Sequence, residues 1–600
     1  MHNVLEIPKI NNVTLEKIVQ RIKRMFPQGC NRILLVNIPQ VSETDFDLAT
    51  VKLGRYPCFP PYGLGLLSRN LRIAGYKTKL IDLNFEVLSH VKDSSFRYNR
   101  WQDALRQSMD SFAPDLVGIS CMFSANHGSM KAVADYAKIC NPQTTVIAGG
   151  VHPSNNTRAV LETVPNIDAV IAYEADEALI NFVDFVNGKV SDDKLTQIAL
   201  FVNDEYIHLE QRVIPNGKRI NYSPDYDSLP IGEYGLWGEI GVYRWLKRNP
   251  PVATILGNRG CRGSCTFCSV SSFNGRGVRS REVDAVVDEM QWQVEQYGIK
   301  HFMWLDDDLF RPGIVDLFNE ITRRNLKITW DASNGVIASA TTREVMQAAY
   351  KSGCIGLSFG VESGDPDILK ATRKPSGIQH SMAVSEILKD FPQIFTKGFL
   401  MVGFPNETVE KIWNTINLAR AMALDWYPIQ ILTLFGGTEI TKKLTERGIS
   451  DERTVLSSKM FIGPAGGQRL KERREVNSSA FDQNVLDQSR SDRIPTPEEL
   501  PDIWFMMDYL INYERILKLE NPIKLRMQRL HLRSIIDRLP KHIAMASLYL
   551  GIVNQKLGNY AEAAGNFRET DRYLEDSAFW RVRFEKLELN KLLTERRAML

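Results

Sequence analysis

Two stretches of the chain repeat one rhythm, in which short apolar runs of strand length alternate with amphipathic segments of helical length. In the first, the runs are RILLVNIP (32–39), TKLIDLN (78–84), LVGISCMF (116–123), TTVIAGGV (144–151) and AVIAYEA (169–175). Helical spacing fills about 62–75, 100–112, 127–139 and 155–164. Continuously apolar strands alternating with helices predict a parallel sheet covered on both faces. Such doubly wound, Rossmann-like sheets take ligands outside the carboxyl ends of their strands. Those ends hold Asn37, Ser120, Ser124, Gly149, Gly150, Tyr173 and Glu174.

The second series reads VATILGN (252–258), KHFMWLD (300–306), KITWDAS (327–333), CIGLSFGVE (354–362), TKGFLMVGF (396–404) and PIQILTLF (428–435). Six βα units fit a partial (β/α)6 barrel, with function at the C-terminal ends of the strands. The expected division of this α/β chain is therefore a helical extension over 1–31, the doubly wound domain over 32–220 and a linker over 221–250. The barrel follows over 251–462, then a polar loop over 463–497 and an all-helical region over 498–600. Within the extension, Leu15, Ile18, Val19, Ile22 and Phe26 recur at helical spacing among basic residues. That pattern suits a helix docked on the first domain better than one lying on a membrane surface. In the C-terminal region, SLYLGIVNQKLGNYAEAAGNF (547–567) resembles a single tetratricopeptide hairpin. The Met- and aromatic-rich stretch at 503–516 reads as core, with an apolar pocket as the alternative.

Composition removes several classes. Lys+Arg 74 against Asp+Glu 71 leaves a formal +3, which favours neither nucleic acid nor an anionic membrane. Eight cysteines in 600 residues are too few for a disulfide scaffold. No apolar stretch approaches the ~20 residues of a membrane helix, and the N-terminus lacks a secretory pattern. A cytoplasmic protein of several domains is expected.

Cys261, Cys265 and Cys268 stand in NRGCRGSCTFC, directly after the first strand of the second series. Chance placement of the cysteines would produce this spacing about once in a thousand sequences. A closed zinc site wants four ligands, and no fourth Cys or His lies nearby. Three thiolates suit a [4Fe-4S] cluster with one iron left open, and Gly260 and Gly263 let the backbone wrap closely around it.

C-x-x-x-C-x-x-C on this loop resembles the signature of radical S-adenosylmethionine enzymes, and Phe267 matches the aromatic residue usual before their last cysteine. The resemblance implies that the open iron binds the amino and carboxylate groups of S-adenosylmethionine, whose cleavage gives a 5′-deoxyadenosyl radical. It extends to WLDDDLF, where Asp306, Asp307 and Asp308 would meet the methionyl end, and to FGVESG, with Glu362 and Ser363. It also covers GFPNET, with Gly403, Pro405 and Glu407, and LFGGTEI, where Gly436 replaces the family's usual proline.

The first domain resembles the cobalamin-binding domains fused to such barrels, through PPYGLGLLSRNLRIAGYKTKLIDLN, PDLVGISCMFSANHGSM and VIAGGVHPS. That resemblance implies cobalamin contacts from Asn37, Ser120, Ser124, Gly149, Gly150, Tyr173 and Glu174. The D-x-H-x-x-G motif for a lower axial histidine is absent, and His152 is expected to be structural. Together the two resemblances imply transfer of a methyl group from S-adenosylmethionine, through methylcobalamin, to an unactivated carbon. Cyclisation, oxidation or rearrangement without methyl transfer, and a non-catalytic scaffold, are the alternatives. The expected partners are an unknown small-molecule or peptide substrate and an external electron donor such as flavodoxin or ferredoxin.

Overall fold

The structure, a computed structural model, describes residues 12–213, 223–225, 229–240, 243–246, 251–448, 481–538 and 544–600. The first series forms β1 (Arg32–Asn37), β2 (Lys77–Asp82), β3 (Leu116–Ser120), β4 (Thr145–Gly149) and β5 (Ala169–Ile171), followed by β6 (Ile198–Val202) and β7 (Glu205–His208). They make one sheet in the order β2-β1-β3-β4-β5-β6-β7. The first five strands are parallel and the last two antiparallel. Alternate residues of β1 feed opposite faces. Ile33 and Leu35 pack with the helices Asn12–Met25, Tyr62–Ile73 and Ala178–Val186. Leu34 and Val36 pack with Arg100–Phe112 and His127–Cys140. Burial on both sides is why the strand reads as continuously apolar.

The N-terminal helix docks as expected: Ile18, Ile22 and Phe26 are buried, and the Phe26 ring meets Phe182 edge-on at 5.7 Å. The β6–β7 hairpin was not anticipated. Asn203 and Asp204 make its turn, both with left-handed backbone.

The second series forms β8 (Val252–Ile255), the short pair β9 (Asn258–Arg259) and β10 (Arg279–Ser280), then β11 (His301–Trp304), β12 (Thr329–Val336), β13 (Cys354–Glu362), β14 (Phe395–Val402) and β15 (Ile429–Ile431). Six of them pair in parallel in the order β15-β14-β13-β12-β11-β8. Among the described residues β15 and β8 do not pair, so the barrel is open. Side chains of the C-terminal region occupy that open edge. Asn512 accepts from the Tyr427 N–H at 2.7 Å and donates to its carbonyl at 2.9 Å. Trp504 Nε1 donates to the Ile429 carbonyl at 2.8 Å. These bonds satisfy backbone groups that a seventh strand would otherwise take.

The stretch expected to be a linker is, where described, packed structure. Asp225 accepts from Ser68 and pairs with Arg72 at 3.2 Å, and the Tyr234 hydroxyl donates to Asp82. Tyr243 is fully buried on β13, its hydroxyl donating to the Leu357 carbonyl at 3.0 Å. Only glycine fits beneath that ring, because a Cβ on Gly356 would lie 2.3 Å from it. Gly356→Ala is expected to lower stability by about 2–3 kcal/mol, read from chemical denaturation of the metal-free protein. An unchanged midpoint would mean that the 243 segment is not docked in solution.

Of the polar stretch expected to be a loop, residues 463–480 lie outside the described residues. Its later part packs down: Phe481, Val485 and Leu486 are buried, and Trp413 donates to the Leu486 carbonyl. The C-terminal region is helical, with Ala544–Lys556 and Tyr560–Asp576 forming the expected hairpin around the Gly551–Phe567 contact. In the helix Leu500–Asp508, Ile503, Trp504, Phe505, Met506 and Met507 are all buried, so the Met-aromatic stripe is core. No described helix is long and apolar enough to cross a membrane.

Candidate functional site

The cysteines lie on the excursion between β9 and β10, at the carboxyl end of β8. Gly277 N–H donates to the Cys261 carbonyl at 3.1 Å, and Thr266 bonds across to Thr372, closing the loop on the barrel. Gly263 sits between two of the sulfurs. Its N–H donates to Cys261 Sγ at 3.3 Å, and a Cβ there would stand 3.4 Å from Cys261 Sγ and 3.7 Å from Cys265 Sγ. All three cysteines are half-buried. Burial pushes the Cys261 and Cys268 thiols up to about 11 and raises Cys265 as well, so the thiolates need compensating positive charge. Among the described residues no three His, Cys, Asp or Glu are grouped to hold one metal ion. Three thiol donors on one loop, without a fourth ligand among the residues described beside them, suit a multi-iron cluster with one open iron.

One positive group beside the trio escaped the sequence reading. Lys374 pairs with Glu362 at 2.8 Å, each side chain 11% exposed, and its charge acts favourably on Cys265 and Cys268. Gly360 makes room for the pair, since a Cβ there would lie 2.5 Å from Lys374 Nζ. Glu362 ends β13 with φ of 66°, a left-handed conformation uncommon outside glycine that often marks functional sites. The sequence signal for Lys374 was only a lysine opening the stretch Lys-Pro-Ser-Gly.

The three aspartates have three separate tasks. Asp306 accepts from the Gly257 N–H at 2.6 Å and from Asn258, and burial pushes its carboxyl up to about 7. Asp308 is fully buried and grips the Arg262 guanidinium through both oxygens, at 2.7 and 2.9 Å. Asp307 accepts from Asn274 on the far side of the cysteine loop, with its carboxyl raised to about 6 by burial. All three thus brace the chain around the cysteines, at its root, within it and on its far side. Ser363 is likewise internal, bonded to Thr415 and to the Asp365 N–H. Glu407 accepts from the Gly403 and Phe404 N–H groups at 2.7 and 3.1 Å, and burial takes it up to about 7. Its carboxylate closes the turn after β14, where Gly403 has φ of 91°. Phe267 meets Phe404 at 6.0 Å between ring centroids.

In the first sheet, strand register aligns Asp82, Asn37, Ser120 and Gly149 across the carboxyl ends of β2, β1, β3 and β4. The crevice between β1 and β3 is the point where strand order reverses. Gly150 has φ of 101°, and a Cβ on it would fall 2.6 Å from the Cys121 carbonyl oxygen. Beside it Met122 and Phe123 are 55% and 47% exposed. Large apolar groups left open at a sheet's ligand edge, next to a glycine pair that admits close approach, fit a broad cofactor such as cobalamin. Ser124 bonds His152 Nδ1 at 3.0 Å, and His127 bonds His152 Nε2 at 2.9 Å. His152 is buried with both ring nitrogens engaged, and burial pulls it down to about 3. These bonds tie the ring, which follows β4, to the segment that follows β3. Tyr173 and Glu174 depart from the crevice. Tyr173 has left-handed backbone and sends Glu174 to Arg259 and Arg279 of the second domain.

The carboxyl edge of the sheet thus faces the carboxyl mouth of the barrel. A second contact joins them where Gly436 and Gly437 follow β15. Cβ atoms there would lie 2.4 Å from Asn156 Oδ1 and 2.4 Å from Asn155 Oδ1 respectively. This notch explains why glycine, and not proline, stands at 436.

The chain matches the family models "B12 binding domain" over residues 50–183 and "Radical SAM superfamily" over 255–419. It is similar to cytidylyl-2-hydroxyethylphosphonate methyltransferase of Streptomyces wedmorensis, 24% identical over 80% of this chain and 94% of that protein. It is also similar to anaerobic magnesium-protoporphyrin IX monomethyl ester cyclase of Rubrivivax gelatinosus, 27% identical over 62% of this chain and 63% of that one. The structure of OxsB, a cobalamin-dependent S-adenosylmethionine radical enzyme with aqua-cobalamin bound, shares the fold. Its TM-score is 0.58 at 16% identity, covering 94% of this chain and 89% of that one.

Proposed function

Because the chain joins a B12-binding domain to a radical S-adenosylmethionine domain, we propose that it is a cobalamin-dependent methyltransferase acting on an unactivated carbon. One observation carries the reading: the ligand edge of the sheet is tied to the cysteine-bearing end of the barrel by the ion pairs of Glu174 and Asp176 with Arg259, and approaches it closely again at Asn155 and Asn156, an arrangement in which both cofactors would face one another. When bound, the cluster with S-adenosylmethionine supplies a hydrogen-abstracting radical, and cobalamin supplies the methyl carrier.

The protein's own part is to hold and orient. Cys261, Cys265 and Cys268 would hold the cluster, with Lys374 balancing their charge. Asp307, Glu362, Gly403 and Phe267 would border the space for S-adenosylmethionine. Asp306, Asp308, Ser363 and Glu407 fix the turns that form it. Asn37, Ser120, Gly149 and Gly150, with Met122 and Phe123, would receive cobalamin. The substrate is a small molecule or a peptide, and a one-electron donor such as flavodoxin or ferredoxin completes the system. None of the eight cysteines is paired in a disulfide, which fits the reducing cytoplasm.

Elemental analysis after anaerobic reconstitution and desalting tests the reading. We expect about four iron atoms and about one cobalt atom per chain. Iron without cobalt would remove methyl transfer from the proposal. The cyclase relative favours one competing reading, ring formation without methyl transfer. Incubation of the reconstituted enzyme with a cell extract and methyl-deuterated S-adenosylmethionine separates the two, since only methyl transfer replaces a substrate hydrogen with CD₃ in a product that is absent when the enzyme is left out.

A further inference from the structure

β9 and β10 are each two residues long, and in their register Arg259 stands directly opposite Arg279. Such a short pair has little stability alone, and two guanidinium groups facing each other repel. Yet these are the feet of the excursion that carries all three cysteines. The balancing charge comes from the other domain. Asp176 binds Arg259 through both oxygens, at 2.7 and 3.1 Å. Glu174 bridges the two feet, with one oxygen 3.2 Å from Arg259 and the other on Arg279. Glu174 and Asp176 are 6% and 4% exposed at the side chain. A third strap runs beside them: Arg212 lies 3.8 Å over the Tyr173 ring and donates to the Ser272 carbonyl within the excursion. The left-handed backbone of Tyr173 aims the acidic pair.

We propose that Glu174 and Asp176 are positioning residues for the cysteine loop, so that the cobalamin-side domain builds one wall of the cluster site. The importance of the clamp rests on the cysteines being cluster ligands, whereas the clamp itself can be tested without metal. In the metal-free full-length protein, E174Q/D176N is expected to let iodoacetamide label Cys261, Cys265 and Cys268 at least about tenfold faster. Hydrogen exchange over residues 260–278 should rise with it, while buried Cys354 stays protected. Unchanged labelling of the trio, or an equal rise at Cys354, would overturn the proposal.

In reconstituted protein, E174Q/D176N should shift the EPR signal of the reduced cluster at wild-type iron content, and an identical signal would also overturn the role. If the wild-type chain takes up no iron, the functional reading fails and the labelling result still stands.

Discussion

Replacing Cys265 with alanine is expected to take iron from about four atoms per chain to less than one, with cobalt retained and methyl transfer lost. Three thiolates are the smallest set that leaves one iron open, and two cannot hold the other three irons. Burial raises all three thiols despite the favourable charge of Lys374 on two of them, so the metal would be what keeps them deprotonated. Removing one sulfur therefore weakens the whole set. The fold should survive, because Cys265 is only half-buried and lies outside the hydrophobic core. A stability change under about 1 kcal/mol is expected. Product formation should fall by a factor on the order of 10³ or more. Full iron content in the variant, by elemental analysis and absorbance, would reject the ligand assignment.

Gly150→Ala is expected to do the converse, losing cobalt by at least about tenfold while keeping iron. The backbone at 150 has φ of 101° and ψ of −178°, a region open essentially to glycine alone. A methyl group there would also press on the Cys121 carbonyl, which accepts the His152 N–H at 3.2 Å. Strain and overlap together should cost about 3 kcal/mol, within the stability of most domains. Because β3 and β4 are bonded through Cys121 N–H and the Gly149 carbonyl, the displacement would fall on the cofactor crevice. Cobalt and iron measured on one sample give the answer. A variant that folds, takes up iron and still retains full cobalt would show that the crevice at Gly150 does not receive the corrin.

Both strand series were legible because their residues are buried on two sides, which leaves an apolar run that needs no partner to be recognised. The cysteine triplet was legible because its spacing is local. The β6–β7 hairpin carried a usable sign, Asn-Asp between alternating apolar residues, that went unread. Other features had no local sign. Asp306, Asp307 and Asp308 look alike in sequence, and only the fold gives them a strand end, the loop's far side and an arginine as partners. Lys374 meets Glu362 through a turn that follows the strand, and Glu174 finds its arginines across a domain boundary. Pairings made by tertiary structure leave no periodicity to read.

The open edge of the barrel has a consequence for how the chain is made. β15 ends at Ile431, while the side chains that cover its neighbourhood come from Trp504 and Asn512. At ~5–20 residues per second, a ribosome needs roughly 4–16 seconds to deliver them. During that interval the last strand offers bare backbone groups to any other growing chain, a template for wrong pairing. Release of a finished barrel thus waits on the arrival of the carboxyl tail. The tail's helices act as a late fastening, and a ribosome stalled short of them would leave an adhesive intermediate for chaperones to hold.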